Sequence, residues 1–153
     1  MNRTNIIHDG VSIKIYETDE PDKVIISFTD DITAYYKIKK AVIRDKGLYC
    51  NNISCMIFRH LVKAGIPVHF IRQISDREQL CRKVDVIPME VIVRNVIAGS
   101  MAQRLGIEEG MVPNETIFDI CYKSDELGDP IINDYHAIAL GLATRAELDE
   151  IYS

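Results

Sequence analysis

Several signatures that would assign this chain to a specialised class of protein are missing from it. It has no basic tract and carries a net charge of −5, which argues against nucleic-acid binding. Its start is polar and lacks the apolar core of a signal peptide, and no run approaches the length of a membrane span. No repeat or low-complexity tract is present. We therefore expect a cytoplasmic protein whose partners include neither nucleic acid nor membrane.

The cysteines and histidines lack the spacing of metal ligands. They are Cys50, Cys55, Cys81, Cys121, His8, His60, His69 and His136. No Cys-x-x-Cys pair occurs, so free and mostly buried thiols in a reducing compartment are the expected state. We interpret the four histidines as structural residues.

The length and composition are those of an ordinary globular protein. Hydrophobic residues make up 47% and charged residues 27% of the 153 positions, which is enough for one compact unit or two small lobes. Because the overall charge is negative, an anionic substrate needs a local cluster of arginines and lysines rather than a global field.

Hydrophobic periodicity predicts strands in much of the chain. Residues 11–16 alternate with a period of two, and after a polar turn residues 23–28 form a second run, so the two indicate an antiparallel hairpin. Further strands are predicted at 68–71, 79–84 and 90–93. Together with the helices, this pattern favours an α+β fold with a mainly antiparallel sheet.

Apolar residues at helical spacing predict the main helices. One helix is expected before Gly65, which ends it, with Asn51 and Asn52 capping its start. Thr144, with Glu147 three residues later, predicts a capping box at the start of the last helix.

The segment from Glu90 to Ser100 is the most informative part of the chain. An apolar strand pattern ends at Arg94, and an Ala-Gly-Ser turn containing Gly99 and Ser100 precedes a helical pattern. A strand end, a small-residue turn and a helix N-terminus together favour anion binding. Arg94 can add a bidentate fork to a phosphate or carboxylate. The plainer alternative is an arginine paired with a nearby acid beside an ordinary turn.

Several unusual motifs follow one another along nearly the whole chain. They are DDITAY at 30–35, KGLYCNNIS at 46–54, AGIPVHFI at 64–71, VIPMEVIVRN at 86–95, RLGIEEG at 104–110, KSDELGDPIIN at 123–133 and ALGLAT at 139–144. In this order they resemble the SAICAR synthetase family, purine-pathway ligases that join aspartate to a carboxylated aminoimidazole ribotide. The resemblance implies an N-terminal β-rich nucleotide lobe over residues 1–84. It also implies a second lobe beginning at 85 and carrying the ribotide motif to 153.

The resemblance also implies the chemistry and its residues. ATP phosphorylates the imidazole carboxylate, Mg²⁺ neutralises phosphate charge, and the aspartate amine then displaces phosphate. Arg94 and Ser100, beside Gly99, grip the ribotide phosphate, which agrees with the anion site inferred from the residues. Asp129 faces the aminoimidazole or the incoming amine, although a turn-forming role suits an Asp in this position equally well. Glu90 orients Arg94 or lines the cleft, or is simply a surface glutamate.

The nucleotide lobe departs from the family pattern. Family members carry a Gly-Lys-x-Lys turn whose lysines meet the ATP phosphates. Here Gly10 is kept and Lys14 follows the motif, but Val11 and Ile13 replace both lysines. Because phosphoryl transfer depends on positioned positive charge, these replacements predict a large loss of rate. Lys83 lies at the position where family members contact adenine, at the hinge between their two lobes.

A second basic feature follows in the same lobe. Tyr36 and Lys37 occupy places where the family has Asn and Gly, and Lys37, Lys39 and Lys40 form a basic patch. The patch either compensates in part for the missing lysines or is a solvated strand edge.

Three functions therefore remain open. The first is a SAICAR synthetase-type ligase, acting alone, as a homo-oligomer, or with a partner chain that completes it. We expect such completion because the last helix is barely two turns long and the family's chain continues with magnesium-binding acids, so the second lobe looks truncated. The second is a non-catalytic module that binds a phosphorylated metabolite. The third is a repurposed lyase or transferase acting on a nucleotide-like substrate without ATP.

Overall fold

A computed structural model describes residues 2–34, 39–124 and 126–153 of the chain. Contacts divide the chain into two compact units, Met1–Asp85 (unit 1) and Val86–Ser153 (unit 2). The predicted α+β class with antiparallel sheets is confirmed. Within the described ranges no helix is both long and apolar enough to cross a membrane.

Unit 1 is built on a five-stranded antiparallel sheet with one long helix packed against it. Its elements in chain order are β1 (Arg3–Asp9), β2 (Ile13–Thr18), β3 (Lys23–Phe28), β4 (Asp31–Ala34), β5 (Lys39–Val42), α1 (Lys46–Lys63), β6 (Phe70–Ser75) and β7 (Glu78–Arg82). The strand order is β1-β2-β3-β7-β6, and β4 pairs with β5 separately. The predicted hairpin is confirmed, since β2 pairs with β3 and Ile15 lies opposite Ile26. Val24, Ile25 and Leu80 are buried in this unit.

Helix α1 starts at Lys46, so the prediction that Asn51 and Asn52 cap it is wrong. Asn51 is fully buried within the helix, and its side-chain amide donates to the carbonyl oxygens of Ser75 at 3.0 Å and Glu78 at 3.4 Å. This asparagine therefore fastens the helix to the β6–β7 turn rather than capping it. The predicted end is confirmed, because the helix ends at Lys63 and Gly65 follows.

The start of α1 is held by a carboxylate from an earlier segment. Asp30 accepts from the backbone N–H of Gly47 at 2.9 Å and from that of Asp45 at 3.2 Å, and it forms an ion pair with Arg77. The Arg77 guanidinium, followed by the Gly47 N–H, lowers the pKa of Asp30 to about 2. This carboxylate does the work of an N-cap, although it is not adjacent in sequence.

We expect Gly47→Ala to lower the free energy of unfolding by about 1–3 kcal/mol, because the added methyl group overpacks the site. A Cβ on Gly47 would lie 2.6 Å from the Phe28 carbonyl oxygen and 2.7 Å from Arg77 Nη1. Urea unfolding measures the change. His60→Ala, at an exposed position of the same helix, is the control and should stay within about 0.5 kcal/mol of wild type. If Gly47→Ala were as stable as wild type, the Phe28 carbonyl at the end of β3 would have to move aside at no cost in free energy.

Unit 2 combines a three-stranded antiparallel sheet with three short helices. Its elements are β8 (Met89–Arg94), α2 (Ser100–Leu105), β9 (Ile117–Tyr122), β10 (Ile131–Ile132), α3 (Asp134–Ala139) and α4 (Arg145–Tyr152), and the strand order is β10-β9-β8. One core cluster joins Ile120 of β9 to Ala137 of α3 and Leu148 of α4. A second joins Ile117 of β9 to Met101 of α2. Because strand side chains alternate, these clusters lie on opposite faces of the sheet.

The capping box predicted for the last helix is confirmed. The Glu147 backbone N–H donates to Thr144 Oγ1 at 3.3 Å, and the Thr144 N–H donates to Glu147 Oε2 at 2.7 Å. Asn133 and His136 form a similar box at the start of α3.

Helices α3 and α4 are joined by polar contacts to Asp134, one of which involves the ionisable hydroxyl of Tyr152. Tyr152 Oη donates to Asp134 Oδ1 at 2.6 Å, and Arg145 Nη1 lies 2.9 Å from Asp134 Oδ2. Burial, and then the bond to Asp134, raises the pKa of Tyr152 to about 12. The protonated tyrosine is therefore the form that the folded state stabilises.

We expect this contact to stabilise the protein below the ordinary tyrosine pKa of 10 and to be lost as the pH rises from about 10 to about 12. Tyr152→Phe should lose about 1 kcal/mol of stability at neutral pH. As the pH rises above 10 the difference between the two proteins should shrink, and it should vanish near pH 12. Urea denaturation at pH 7, 9 and 11 measures both effects. A stability difference that is as large at pH 11 as at pH 7 would exclude the hydrogen bond as its origin.

Candidate functional site

The residues predicted to bind an anion lie at one end of the unit 2 sheet. Strand β8 ends at Arg94, and α2 begins at Ser100 after a short turn. Ile117 lies directly opposite Arg94 on β9 and packs against Met101 of α2. The structure therefore holds Arg94 and the start of α2 at the same end of the sheet. Gly99, just before the helix, has φ 57°, a conformation that favours glycine.

Asp119 orients Arg94. The Nε of Arg94 donates to Asp119 Oδ2 at 3.0 Å, and the two side chains are only 20% and 11% exposed. Arg104 Nη2 lies 3.6 Å from the other oxygen of the same carboxylate. We did not predict either partner from the sequence. The available signal was a lone acidic residue inside the apolar strand 117–122, which requires a buried counterion.

The backbone at Gly99 is already engaged within the protein. Its N–H donates to Glu109 Oε1 at 2.8 Å. The Glu109 segment is held beside it because the Ile97 N–H donates to the Met111 carbonyl at 2.8 Å. The Ser100 hydroxyl at this corner belongs to an exposed residue. The role of Gly99 in ligand binding stays a prediction.

Glu90 and Asp129 lie around the same polar face. Glu90 is exposed on β8, opposite Cys121 of β9, on the face that also carries Arg94 and Asp119. Burial, and then the negative charges of Glu90, Asp119 and Asp129, raises the pKa of the Cys121 thiol. The charges of these three carboxylates therefore act on this buried thiol. In the described residues the carboxylate bonded to Arg94 is that of Asp119 rather than Glu90.

Asp129 closes the loop between β9 and β10. Its φ of 49° is left-handed, its Oδ1 accepts from the Ser124 N–H at 2.8 Å, and its own N–H donates to the Ser124 carbonyl at 3.1 Å. These bonds fix the half-buried carboxylate in one orientation. Left-handed backbone in a residue other than glycine costs energy and concentrates at functional sites. The turn-forming interpretation is also satisfied, since the side chain bonds within its own loop.

A cleft of about 320 Å³ in unit 1 contains the predicted nucleotide residues Gly10 and Lys14. Lys14 Nζ lies 2.7 Å from Asp9 Oδ1, and this bond raises the pKa of Lys14. A Cβ on Gly10 would lie 2.6 Å from His8 Nε2, the end of an exposed side chain that can move aside, and 3.0 Å from the Ile13 carbonyl oxygen. Lys40 also lines this cleft.

The remaining predicted basic residues have separate places. Tyr36 and Lys37 lie outside the described residues. Lys83 Nζ lies 2.8 Å from Glu17 Oε1 of β2, so its side chain is engaged in an ion pair. Within the described part of the chain, three or more His, Cys, Asp or Glu side chains nowhere converge on a point that would hold a metal ion.

Sequence comparisons identify close relatives of this chain. Residues 6–153 match the family model described as SAICAR synthetase. The chain is 57% identical over 152 residues to a phosphoribosylaminoimidazole-succinocarboxamide synthase of Clostridium kluyveri. The aligned region covers 99% of this chain and 65% of the relative. It is 51% identical over 153 residues to the same-named protein of Clostridium botulinum strain Okra, with 100% and 65% covered. The chain thus spans about 65% of the length of these relatives.

Solved structures show the same fold. The crystal structure of phosphoribosylaminoimidazole-succinocarboxamide synthase from Ehrlichia chaffeensis matches with a TM-score of 0.93 and 37% identity, covering 97% of this chain and 62% of that one. A SAICAR synthetase (Type-2) in complex with ADP matches with a TM-score of 0.89 and 39% identity over the same shares.

Proposed function

Because the chain belongs to the SAICAR synthetase family, we propose that it takes part in the ATP-dependent joining of aspartate to carboxyaminoimidazole ribotide. The observation that carries the proposal is the Arg94 guanidinium, held by Asp119 at the same end of the sheet as Ser100. A fixed guanidinium beside a hydroxyl suits the phosphate of a ribotide.

Unit 2 supplies the ribotide site in this proposal. Asp119 binds Arg94 through Nε, so the terminal nitrogens point away from that bond and are available to a phosphate. Ser100 adds a hydroxyl donor. Gripping a group remote from the reacting carboxylate fixes the orientation of the substrate before reaction, which lowers the entropic part of the barrier.

Asp129 is the proposed catalytic residue, and Glu90 lines the same site. The Ser124 N–H holds Oδ1 of Asp129, which leaves the rest of the carboxylate to orient or accept a proton from the attacking amine. The hydrogen bond from the Ser124 N–H keeps this carboxylate from turning away. Glu90, exposed on the same sheet, adds negative charge that suits an amine.

Unit 1 supplies the nucleotide site. Gly10 and Lys14 line its cleft, and a relative of 39% identity is described in complex with ADP. Lys83, at the end of β7, marks the proposed adenine side. Because the described residues contain no ligand set for a metal ion, we assign no step to Mg²⁺. The four unpaired cysteines agree with a reducing, cytoplasmic location.

A second candidate is a module that binds a phosphorylated metabolite without catalysis. The cleft in unit 1 favours it, because Val11 lines the cleft where the family has a phosphate-binding lysine and Lys14 is paired with Asp9. Such a cleft offers a triphosphate little net positive charge.

Two measurements on the whole chain separate these functions. Calorimetry with ATP and with the ribotide, each alone, tests binding, and incorporation of labelled aspartate tests amide formation. ATP-dependent amide formation supports the ligase, and specific activity that rises with chain concentration indicates a homo-oligomer. Ribotide binding without ATP binding or product supports the binding module. Absence of ribotide binding would refute both.

A further inference from the structure

We propose that Arg104 is a second phosphate-binding arginine and that Asp119 is the positioning residue that aligns it with Arg94. The ligand class is a phosphate monoester. This inference rests on the proposed function of the Arg94 corner and extends it to residues that the sequence motif did not single out.

The carboxylate of Asp119 divides its two oxygens between the two arginines. Oδ2 accepts from Arg94 Nε at 3.0 Å, and Oδ1 lies 3.6 Å from Arg104 Nη2. Two guanidinium groups that share one carboxylate lie close enough for one phosphate to accept from both, since charge-assisted contacts to phosphate are about 2.7–2.9 Å long. Asp119 therefore has one guanidinium group beside each of its two carboxylate oxygens.

Burial shows which partner anchors and which partners remain accessible. Asp119 is 11% exposed, whereas Arg94 is 20% and Arg104 39% exposed. A nearly buried carboxylate stays with its counterions, while the more exposed guanidinium can also reach a ligand from solution. The three side chains together keep one net positive charge in a chain whose net charge is −5.

Arg104 can be tested without losing the helix that carries it. Helix α2 is docked through Met101 and Ala102, which are buried against Ile117, so truncating Arg104 leaves this packing in place. A purely structural Arg104 would affect stability and leave phosphate affinity unchanged. A phosphate-binding Arg104 would do the reverse.

The test compares variants of the whole chain by calorimetry with ribose 5-phosphate, and with ribose as the uncharged probe. We expect Arg104→Gln to weaken ribose 5-phosphate binding by about 10- to 100-fold, the range of a lost charge-assisted contact. Arg145→Gln is the matched control, because Arg145 also pairs with an aspartate of unit 2 and is comparably exposed. It should leave affinity unchanged.

Asp119→Asn distinguishes a positioning role of Asp119 from a simple effect of its negative charge on phosphate affinity. Removing a negative charge beside the site would tighten phosphate binding if net charge alone decided affinity. We expect weaker binding instead, together with a shift of the Arg94 ¹⁵Nε resonance, because the arginines lose their common anchor. Asp119→Glu should restore part of the affinity. Tighter binding by Asp119→Asn would overturn the positioning role.

The outcomes distinguish this inference from the proposed function. If Arg94→Gln leaves ribose 5-phosphate binding intact, the proposed corner itself is wrong. If Arg94→Gln abolishes binding and Arg104→Gln binds like wild type, only the role of Arg104 is overturned. Should Arg104→Gln not fold, Arg104→Lys keeps the charge without the fork and is expected to bind about 10-fold more weakly. Wild-type affinity of Arg104→Lys would then count against the proposal.

Discussion

Arg94→Ala is expected to weaken ribotide binding by about 2–5 kcal/mol, which is roughly 30- to 5000-fold. The guanidinium of Arg94 is largely buried and oriented by Asp119, so its loss removes the phosphate contact and leaves the carboxylate with one weaker partner. Calorimetry with carboxyaminoimidazole ribotide measures the effect. Removal of the phosphate from the ligand should reproduce most of the loss in the wild-type chain.

Two further variants define the origin of that loss. Arg94→Lys keeps the charge but not the two-pronged geometry, so we expect an intermediate affinity. Arg145→Ala removes an arginine that pairs with Asp134 elsewhere in unit 2 and should change ribotide affinity little. Circular dichroism and urea unfolding confirm that each variant is folded. Ribotide affinity of wild-type strength in folded Arg94→Ala would show that the phosphate binds elsewhere.

Asp129→Asn is expected to lower amide formation by about 100- to 10,000-fold while ribotide affinity stays near wild type. The substitution is chosen because asparagine tolerates the left-handed backbone and keeps an oxygen that accepts from the Ser124 N–H. Stability should therefore remain within about 0.5 kcal/mol of wild type. The loss would then report the missing charge rather than a collapsed loop. Labelled-aspartate incorporation and urea unfolding provide the two readouts.

Asp129→Ala and Glu126→Gln complete this comparison. Asp129→Ala removes the side-chain oxygen that accepts from the Ser124 N–H, and alanine tolerates the positive φ less well than aspartate. We therefore expect this variant to have lower stability as well as lower turnover. Glu126→Gln removes a charge from an exposed residue of the same loop and should leave both unchanged. Full turnover in Asp129→Asn would assign this residue to loop structure alone.

Features that depend on neighbours in sequence were predictable. The hairpin of β2 and β3 follows from alternating side chains on both sides of a polar turn, and its antiparallel pairing is confirmed. The Thr144–Glu147 capping box and the end of α1 before Gly65 are also local, because each bond spans only a few residues.

Features that depend on distant residues were not predictable in the same way. The start of α1 was placed too late because its capping carboxylate, Asp30, is 17 residues away from Gly47. The Glu109 carboxylate at the Gly99 N–H likewise comes from a separate loop. Asp119 meets Arg94 only because β8 and β9 pair in one particular register, in which Asp119 lies opposite Ile92.

By itself, the order of residues determined the family, the antiparallel α+β class and the position of an arginine shortly before a small turn. These depend on motifs and short-range periodicity, which survive without coordinates. Only the tertiary structure decided which carboxylate holds that arginine, that Arg104 shares it, and that the Gly99 amide is occupied. The physical reason is that buried charges must find partners, and strand register and loop closure determine which partners are within reach.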